Sequence, residues 1–508
     1  MPAGRSGIER GTGMRSIFSG FNVATLAMQA QRKATDITAH NIANANTPGF
    51  TRQRAKMGAT EPFSYAGTGQ VGTGVMVSDI ERIREQFLDY QVRSEKQLIG
   101  YWEARKDALE KIEILFMEPS ENSFNSVLGS FFDSWQELSK NPESSPVRTN
   151  LVENSVTLIN TVNHLNSQMD NLKQDTNEMI RIYVHDINSM TGQIANLNQQ
   201  ITRVTARGES PNDLMDRRDL LLDQLSEIID FTEVHQKTGA VNLIFRGKDL
   251  VRESNAYGLM AEHTDGKDVE IYWEKDGKPH GDPINIMRDY SLVRRRDALE
   301  GLDSVRQEID RFMGDFDILV SSMAELINEL HQEGFDLSGI KAGETDGWDG
   351  SFFEKDGLNR WAVSSFILND VSKIAAAQET PEGIVGEGNG LNAMRIAQMR
   401  SIRLVKDDET GRFRVPGEGV PGETTFESFY RDSISMLGVK SQESSRMVEN
   451  QQSLLNQLLN RRESVSGVSL DEEMSNLIMF QHAYQAAARI VTTLDSMLDT
   501  VINRMGVR

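Results

Sequence analysis

Leu302, Val305, Ile309, Phe312, Phe316, Leu319, Met323, Leu326 and Leu330 recur at alternating spacings of three and four without a miss. That pattern is the stripe of an amphipathic helix, and its unbroken register predicts a long helix packed on at least one partner helix. A longer helical tract lies between Pro146 and Pro211, with Gly192 and Gly208 as its only glycines. Its apolar seam runs through Leu151, Leu158, Val162, Leu165, Met169 and Leu172, then Ile180, Tyr183, Ile187, Met190, Ile194, Leu197, Ile201 and Val204. Between Leu172 and Ile180 the register advances by eight positions instead of seven, a stutter expected to unwind a coiled coil locally.

Shorter stripes mark the two ends. Ile17, Phe21, Ala24 and Met28 form one side of a helix expected to start near Met14 and to stop before Pro48. Leu470, Met474, Leu477, Tyr484, Ala488, Val491, Leu494, Leu498, Val501 and Met505 form the other, on a helix whose start is marked by the Ser469–Glu472 capping-box spacing. Each stripe needs a partner, and pairing the two termini satisfies both. Small residues (Ala24, Ala27 and Ala30, and Ala486 to Ala488) permit close packing. Between the long helical tracts, residues 232–290 change period: Val241, Leu243 and Phe245 alternate, as do Ile271 and Trp273, with glycines between. That predicts a small inserted β module. A hairpin is expected over 63–77, helix over 80–116 and again from Phe426, and the glycine-rich 338–424 is mixed.

The fold class expected is therefore mainly α and elongated, with terminal helices paired as a coiled coil, a long helical-bundle body and a small β insert. The boundaries are a disordered leader over 1–13, a terminal assembly domain of 14–47 with 467–508, a helical body of 48–231 with 291–466, and the β module at 232–290. Composition agrees, since aromatics are 7% of the 508 residues and prolines number 12, which favours long helices over a β-sandwich. Arg5, Arg10 and Arg15 precede an uncharged stretch, the outline of a secretory signal. Asn22, Thr25 and Gln29 interrupt it, so no cleaved signal peptide is expected.

The net charge of −21 opposes the basic footprint of nucleic-acid binding, and no apolar run is long enough to insert in a membrane. Absence of cysteine excludes disulfides, thiolate metal sites and a cysteine nucleophile. The strings Gly67-x-Gly69-x-x-Gly72 and Gly417-x-Gly419-x-x-Gly422 match a dinucleotide fingerprint but lack its strand-to-helix context. The histidines are scattered, and Asp346, Asp349, Glu354 and Asp356 depart from calcium-loop spacing. No catalytic residue, metal or cofactor is expected, and the protein reads as no enzyme.

Residues 40–53, HNIANANTPGFTRQ, resemble the signature of the axial proteins of the bacterial flagellum, and 72–93, GTGVMVSDIERIREQFLDYQVR, continue that resemblance. Residues 466–506 are similar to the C-terminal helix of the same family, in detail to its hook-associated members. Asn141-Pro142 with Arg148, the run 212–225 (NDLMDRRDLLLDQL) and 328–339 (NELHQEGFDLSG) agree with the helical region of those members. The resemblance implies a structural subunit at the junction of hook and filament, exported by the flagellar type III apparatus and located outside the cell. The partners it implies are further copies of the chain in a ring or helical layer, the hook protein, the second junction protein (hook-associated protein 3) and an export chaperone. A hook or distal-rod subunit is the alternative within the family. A cytoplasmic coiled-coil scaffold would explain the heptads without the matched termini.

Overall fold

The computed structural model describes residues 12–504 apart from 66–68, 117–122, 265–267, 285–295, 345–346, 380–385, 387, 408–410 and 418–419. The fold is mainly α. Among the described residues ten α-helices follow in order: α1 (Thr12–Ala43), α2 (Gln86–Phe116), α3 (Phe124–Lys140), α4 (Ser145–Thr205), α5 (Asn212–Ile228), α6 (Ala298–Glu333), α7 (Ser365–Asn369), α8 (Leu391–Gln398), α9 (Phe426–Ser466) and α10 (Leu470–Asp499). The first helix begins two residues before the expected Met14, and the rest of the expected leader, 1–11, lies outside the described residues. The helix expected from Ile80 begins at Gln86 instead. Residues 75–82 are claimed by strand pairing with residues 53–59, which satisfies their backbone groups before the helical register takes over.

The α6 seam is the spine of the larger core. Val305, Ile309, Phe312, Phe316, Leu319 and Met323 are all buried in it, together with Leu128, Phe131 and Trp135 of α3 and Leu151 to Leu172 of α4. Aromatic rings fill the space between helices: Phe116, Phe124, Phe316 and Tyr430 meet at centroid distances from 4.7 to 6.4 Å. Gly100 sits where α2 crosses α5, and a Cβ there would lie 2.0 Å from the Glu227 carbonyl oxygen. The crossing exists because the position has no side chain.

The stutter in α4 does not interrupt the helix, which runs for 61 residues. What changes there is the partner. Before it, Leu151 to Leu172 face the helical core; after it, Ile180, Val184, Ile187 and Ile194 face a second core built with strands. Inserting an extra position rotates the apolar stripe around the helix, and buried Thr176 and Asn177 occupy the handover.

Those strands follow the hairpin strands β1 (Gln53–Ala59), β2 (Phe63–Tyr65), β3 (Gly69–Val71) and β4 (Val75–Arg82), in which β1 pairs β4 and β2 pairs β3. They are β5 (Thr232–His235), β6 (Val241–Phe245), β7 (Lys248–Arg252), β8 (Asn255–Ala256), β9 (Leu259–Thr264), β10 (Asp268–Lys275) and β11 (Lys278–His280). They make two antiparallel sheets, ordered β5-β6-β7-β8 and β11-β10-β9. Residues 285–290 of the expected module lie outside the described residues. The sheets are tied to α4 by asparagines. The Asn188 amide donates to Leu259 O at 2.7 Å and accepts from Leu259 N at 2.8 Å. Asn198 does the same with Val241, at 2.8 and 3.1 Å. Each side chain imitates a neighbouring strand, so strand backbone groups left without a strand partner are satisfied on a helix surface.

His331 is buried at the heart of the body. Its Nδ1 donates to Gly350 O at 2.7 Å and its Nε2 accepts from Ala375 N at 3.0 Å, a pattern available to the neutral ring alone. Burial, with the nearby Arg148 charge, pushes its pKa down to about 4. Between that value and the ordinary value of about 6.5, the unfolded chain binds the proton and the folded one does not, so stability rises with pH across this window. Thermal melts should therefore lose about 3 kcal/mol between pH 7 and 4 from this group, and His331→Gln should flatten that part of the profile. A Gly100→Ala chain should lose about 3 kcal/mol or fail to fold, as read by urea unfolding.

Candidate assembly site at the chain termini

Helices α1 and α10 lie side by side and antiparallel. Gly20 faces Leu494, whose Cδ1 lies 3.5 Å from the position of a Cβ on the glycine, and at the other end Asn41 Nδ2 donates to Glu473 Oε2 at 2.9 Å. The face of α1 that is buried is its alanine face: Ala24, Ala30, Ala34, Ile37 and Thr38 are all under a tenth exposed. This departs from the simple pairing of the two apolar stripes. Of the α1 stripe, Ala24 is buried and Met28 half-buried, while Phe21 is 40% exposed; Ile17 lies in the first turns of α1. Small side chains let the backbones approach, and their face meets both α10 and the β1–β4 ribbon, where Gly74 packs on Leu26 and Val23.

The α10 stripe divides likewise. Leu477, Ala488, Val491, Leu494 and Leu498 are half-buried, whereas Leu470, Met474, Tyr484 and Val501 are exposed. Met505 lies outside the described residues. Further exposed apolar side chains, Ile478, Met479, Ile490 and Met497, widen the uncovered surface. Ser469 caps α10 by accepting from Glu472 N, but the other half of the expected capping box is diverted. The Glu472 carboxylate accepts from Arg52 Nη1 at 2.6 Å and so ties α10 to the chain leaving α1.

That connection explains the residue types of 40–53. The Asn41 amide accepts from Gln53 N at 3.0 Å and donates to Gln53 O at 2.9 Å, closing the turn after α1. Gly49 has φ +77°, and a Cβ there would lie 3.0 Å from Leu220 Cβ, a conformation and clearance that favour glycine. Thr51 N donates to Asp216 Oδ2 at 3.0 Å, and Arg52 N donates to Ser466 O at 2.9 Å. The chain therefore crosses between body and terminal pair twice, at 44–52 and at 467–469 after the end of α9, and the first crossing is bonded to the last residue of α9.

Beneath them lies a buried ionic network. Arg82 reaches Asp216 and Asp219, each at 2.8 Å; Arg84 holds Asp89 at 2.6 Å; Arg93 holds Asp223 at 2.8 Å and Glu233 at 2.6 Å; Arg462 holds Asp223 at 2.6 Å. Burial alone would raise the Asp219 carboxyl, but the charges of Arg84, Arg218, Arg82 and Arg93 outweigh it and hold the group well below the usual carboxylate range. Asp223 is lowered too, as Arg93 and Arg462 outweigh its burial. Burial wins at Asp216, whose pKa is raised despite Arg82.

The residues weighed for other chemistry are occupied structurally. Gly69 belongs to β3 of a hairpin, while Gly67 and Gly419 lie outside the described residues, as does Asp346. Asp349 accepts from Ser351 N, Glu354 from Ser365 N, and Asp356 from Leu358 N and Arg360 N. Among the described residues no group of three acids or histidines is placed to hold a metal ion, and no helix is long and apolar enough to cross a membrane.

Because Asp223 joins α5 to both α2 and α9, Asp223→Asn leaves the buried Arg93 and the half-buried Arg462 guanidinium groups short of charge. Denaturant unfolding should show a loss of about 3–5 kcal/mol. Asp219 and Asp223 contribute stability that is present above the ordinary carboxylate pKa and lost as pH falls through their lowered values.

The description "Flagellar hook-associated protein FlgK helical domain" matches residues 109–345, "Flagella basal body rod protein" matches 21–51, and "Flagellar basal body rod FlgEFG protein C-terminal" matches 462–505. Flagellar hook-associated protein 1 of Bacillus subtilis is 32% identical, over 97% of this chain and 99% of its own length. The Salmonella typhimurium protein of that name is 26% identical over 95% of the chain and 99% of its own. The solved flagellar hook junction protein FlgK of Burkholderia pseudomallei shares the fold, with a TM-score of 0.61 at 15% identity, covering 74% of this chain and all of that one. On sequence identity along nearly its whole length, the chain belongs to the flagellar hook-associated protein 1 (FlgK) family.

Proposed function

We propose that this chain is a structural, non-enzymatic subunit of the bacterial flagellum that sits between hook and filament and assembles through its terminal helices. It leaves the cell by the flagellar type III route without a cleaved signal peptide, in the keeping of an export chaperone. Its partners are copies of itself, the hook protein on one side and hook-associated protein 3 on the other. The observation that carries this reading is the state of α10, in which Glu473 and Ala487 are the buried residues while Leu470, Met474, Ile478, Met479, Tyr484, Ile490 and Met497 are exposed. A surface helix normally hides its apolar stripe against its own domain. Contiguous exposed apolar surface of this kind marks a site of protein association.

Family membership supports the place in the flagellum. Matches to rod proteins at both ends fit terminal elements shared along the axial structure, and the helical region at 109–345 favours a junction subunit over hook or rod. The coiled-coil arrangement of the terminal domain, 14–47 with 467–508, belongs to the same proposal, as does the interface of Ile17, Phe21, Ala24 and Met28 with the α10 stripe. The helical body and the β module at 232–290 would then face outward from the axis.

Two variants test this. Met474→Asp places a charge at a side chain 52% exposed, so thermal stability of the isolated protein should change by less than about 0.5 kcal/mol. Assembly buries that charge, and motility should be lost with filament subunits released into the medium. Removing 470–508 should have the same cellular effect; if the truncated chain still supports filament growth, the terminal helices are not the assembly element.

A further inference from the structure

Asn389 and Gly390 form the single Asn-Gly step of the sequence. Asparagine is a thermally labile residue, and most so before glycine, where no Cβ hinders the following backbone nitrogen from closing on the carboxamide. Packing requires the glycine. Gly390 lies between the end of α3 and the start of α8, and a Cβ there would lie 2.2 Å from Ser139 O. Its carbonyl accepts from Met394 N at 2.9 Å and so opens α8, while its own nitrogen donates to no acceptor among the described residues. Both residues are half-buried, so water reaches the step.

Asn389 is held against backbone, as Asn188 and Asn198 are. Its Nδ2 donates to Gln378 O at 2.6 Å, and its Oδ1 accepts from Leu391 N at 3.1 Å and from Gln378 N at 3.5 Å. Further along, Asn392 Nδ2 donates to Leu330 O and to Ala375 O, each at 2.9 Å. Ala376 O accepts from Asn392 N and Ala393 N, each at 3.1 Å. Residues 375–378 thus join α8 to the body's interior, where Ala375 N donates to His331 Nε2.

We propose that Asn389 is a site of spontaneous deamidation, and that its amide is the latch holding the start of α8 to residues 375–378. The Gly390 nitrogen attacks Asn389 Cγ and the new C–N bond closes a succinimide ring. The Cγ–Nδ2 bond breaks, and Nδ2 leaves as ammonia with the proton given up by the glycine N–H. Water then opens the ring at either carbonyl, the ring nitrogen regains a hydrogen, and aspartate or isoaspartate remains. Water is the only co-reactant, and nothing is oxidised or reduced. Attack requires the carboxamide to turn toward Gly390, and the bond from Nδ2 to Gln378 O opposes that turn, so the folded chain reacts more slowly than the unfolded one.

The product cannot hold the same corner. An ionised aspartate has no hydrogen to offer Gln378 O, so two oxygens face each other where a 2.6 Å bond stood, and a carbonyl is left without its donor. Isoaspartate lengthens the backbone by one carbon ahead of Gly390, whose seat against Ser139 leaves no slack. Either product releases α8, and the change accumulates with the age of the molecule.

Full-length protein kept folded at mildly alkaline pH, then digested and mapped by mass spectrometry, should show amide converted to acid first in the peptide holding Asn389, with both isomers present. A parallel sample in guanidinium chloride should convert that residue faster. The aged folded sample should develop a second, lower melting transition whose share follows the converted fraction. Asn389→Gln, whose longer side chain closes a ring far less readily, should keep its starting melting temperature over the same period. Asn389→Asp should melt below the wild-type chain from the outset; if it does not fold, the aged wild-type chain supplies the same comparison. Failure of Asn389 to convert, earlier conversion at another asparagine of the folded chain, equal rates with and without guanidinium chloride, or a converted chain that melts like the fresh one would overturn the assignment.

Discussion

Everything at the terminal end of the molecule depends on keeping a cluster of acids matched to their arginines. Asp216, Asp219 and Asp223, all buried, lie on successive turns of one helix, α5, and their partners come from the β4 ribbon, from α2 and from α9; buried Asp89 of α2 and half-buried Glu233 at the edge of the β sheets belong to the same cluster. Charges removed from water lose hydration that only good geometry restores, so each pair tolerates little displacement. Hydrophobic contacts alone would let the ribbon or α9 slide over α5 at small cost. With Asp223 shared by Arg93 and Arg462, the helices must arrive in one arrangement.

The molecule divides its apolar residues between two uses. Along α6 the stripe is consumed by the chain's own core, with Val305 and Ile309 fully buried. Along α10 a stripe of comparable spacing meets α1 on one edge and is left open on the others. The difference lies in what is packed around each helix: α6 is surrounded by α2, α4, α9 and short strands, whereas α10 has one helix beside it. An equal helical pattern thus gives a core in one place and a contact surface in another.

This division marks the limit of what the residue pattern discloses. The α6 seam, the break between α9 and α10 and the small β insert follow from spacing and glycine placement, which are local properties. The face of α1 does not. Its large residues, Phe18 and Phe21, are the exposed ones and its alanines are buried, because closeness of backbones outweighed size of side chain. The asparagines of α4 read as ordinary polar positions on a long helix until strands from far along the chain arrive beside them. The ionic network is equally hidden, since its partners are separated by as many as 239 positions, as in Arg462 and Asp223. The motifs at 40–53 and 212–225 pointed to the place without revealing that the two touch.

The bond between Asn41 and Glu473 spans 432 positions, and this has a kinetic consequence. A contact closed over so long a loop forms late, because the chain entropy of closure must be overcome before the contact rewards it. As the chain emerges from the ribosome, α1 is made first yet lacks its neighbour until nearly all the rest has followed. Parts of the body that pair with nearer elements, such as α3 with α4 and α4 with α5, have time to fold in the interval. Completion of the terminal pair is thus tied to completion of the chain, so an incomplete chain cannot form it.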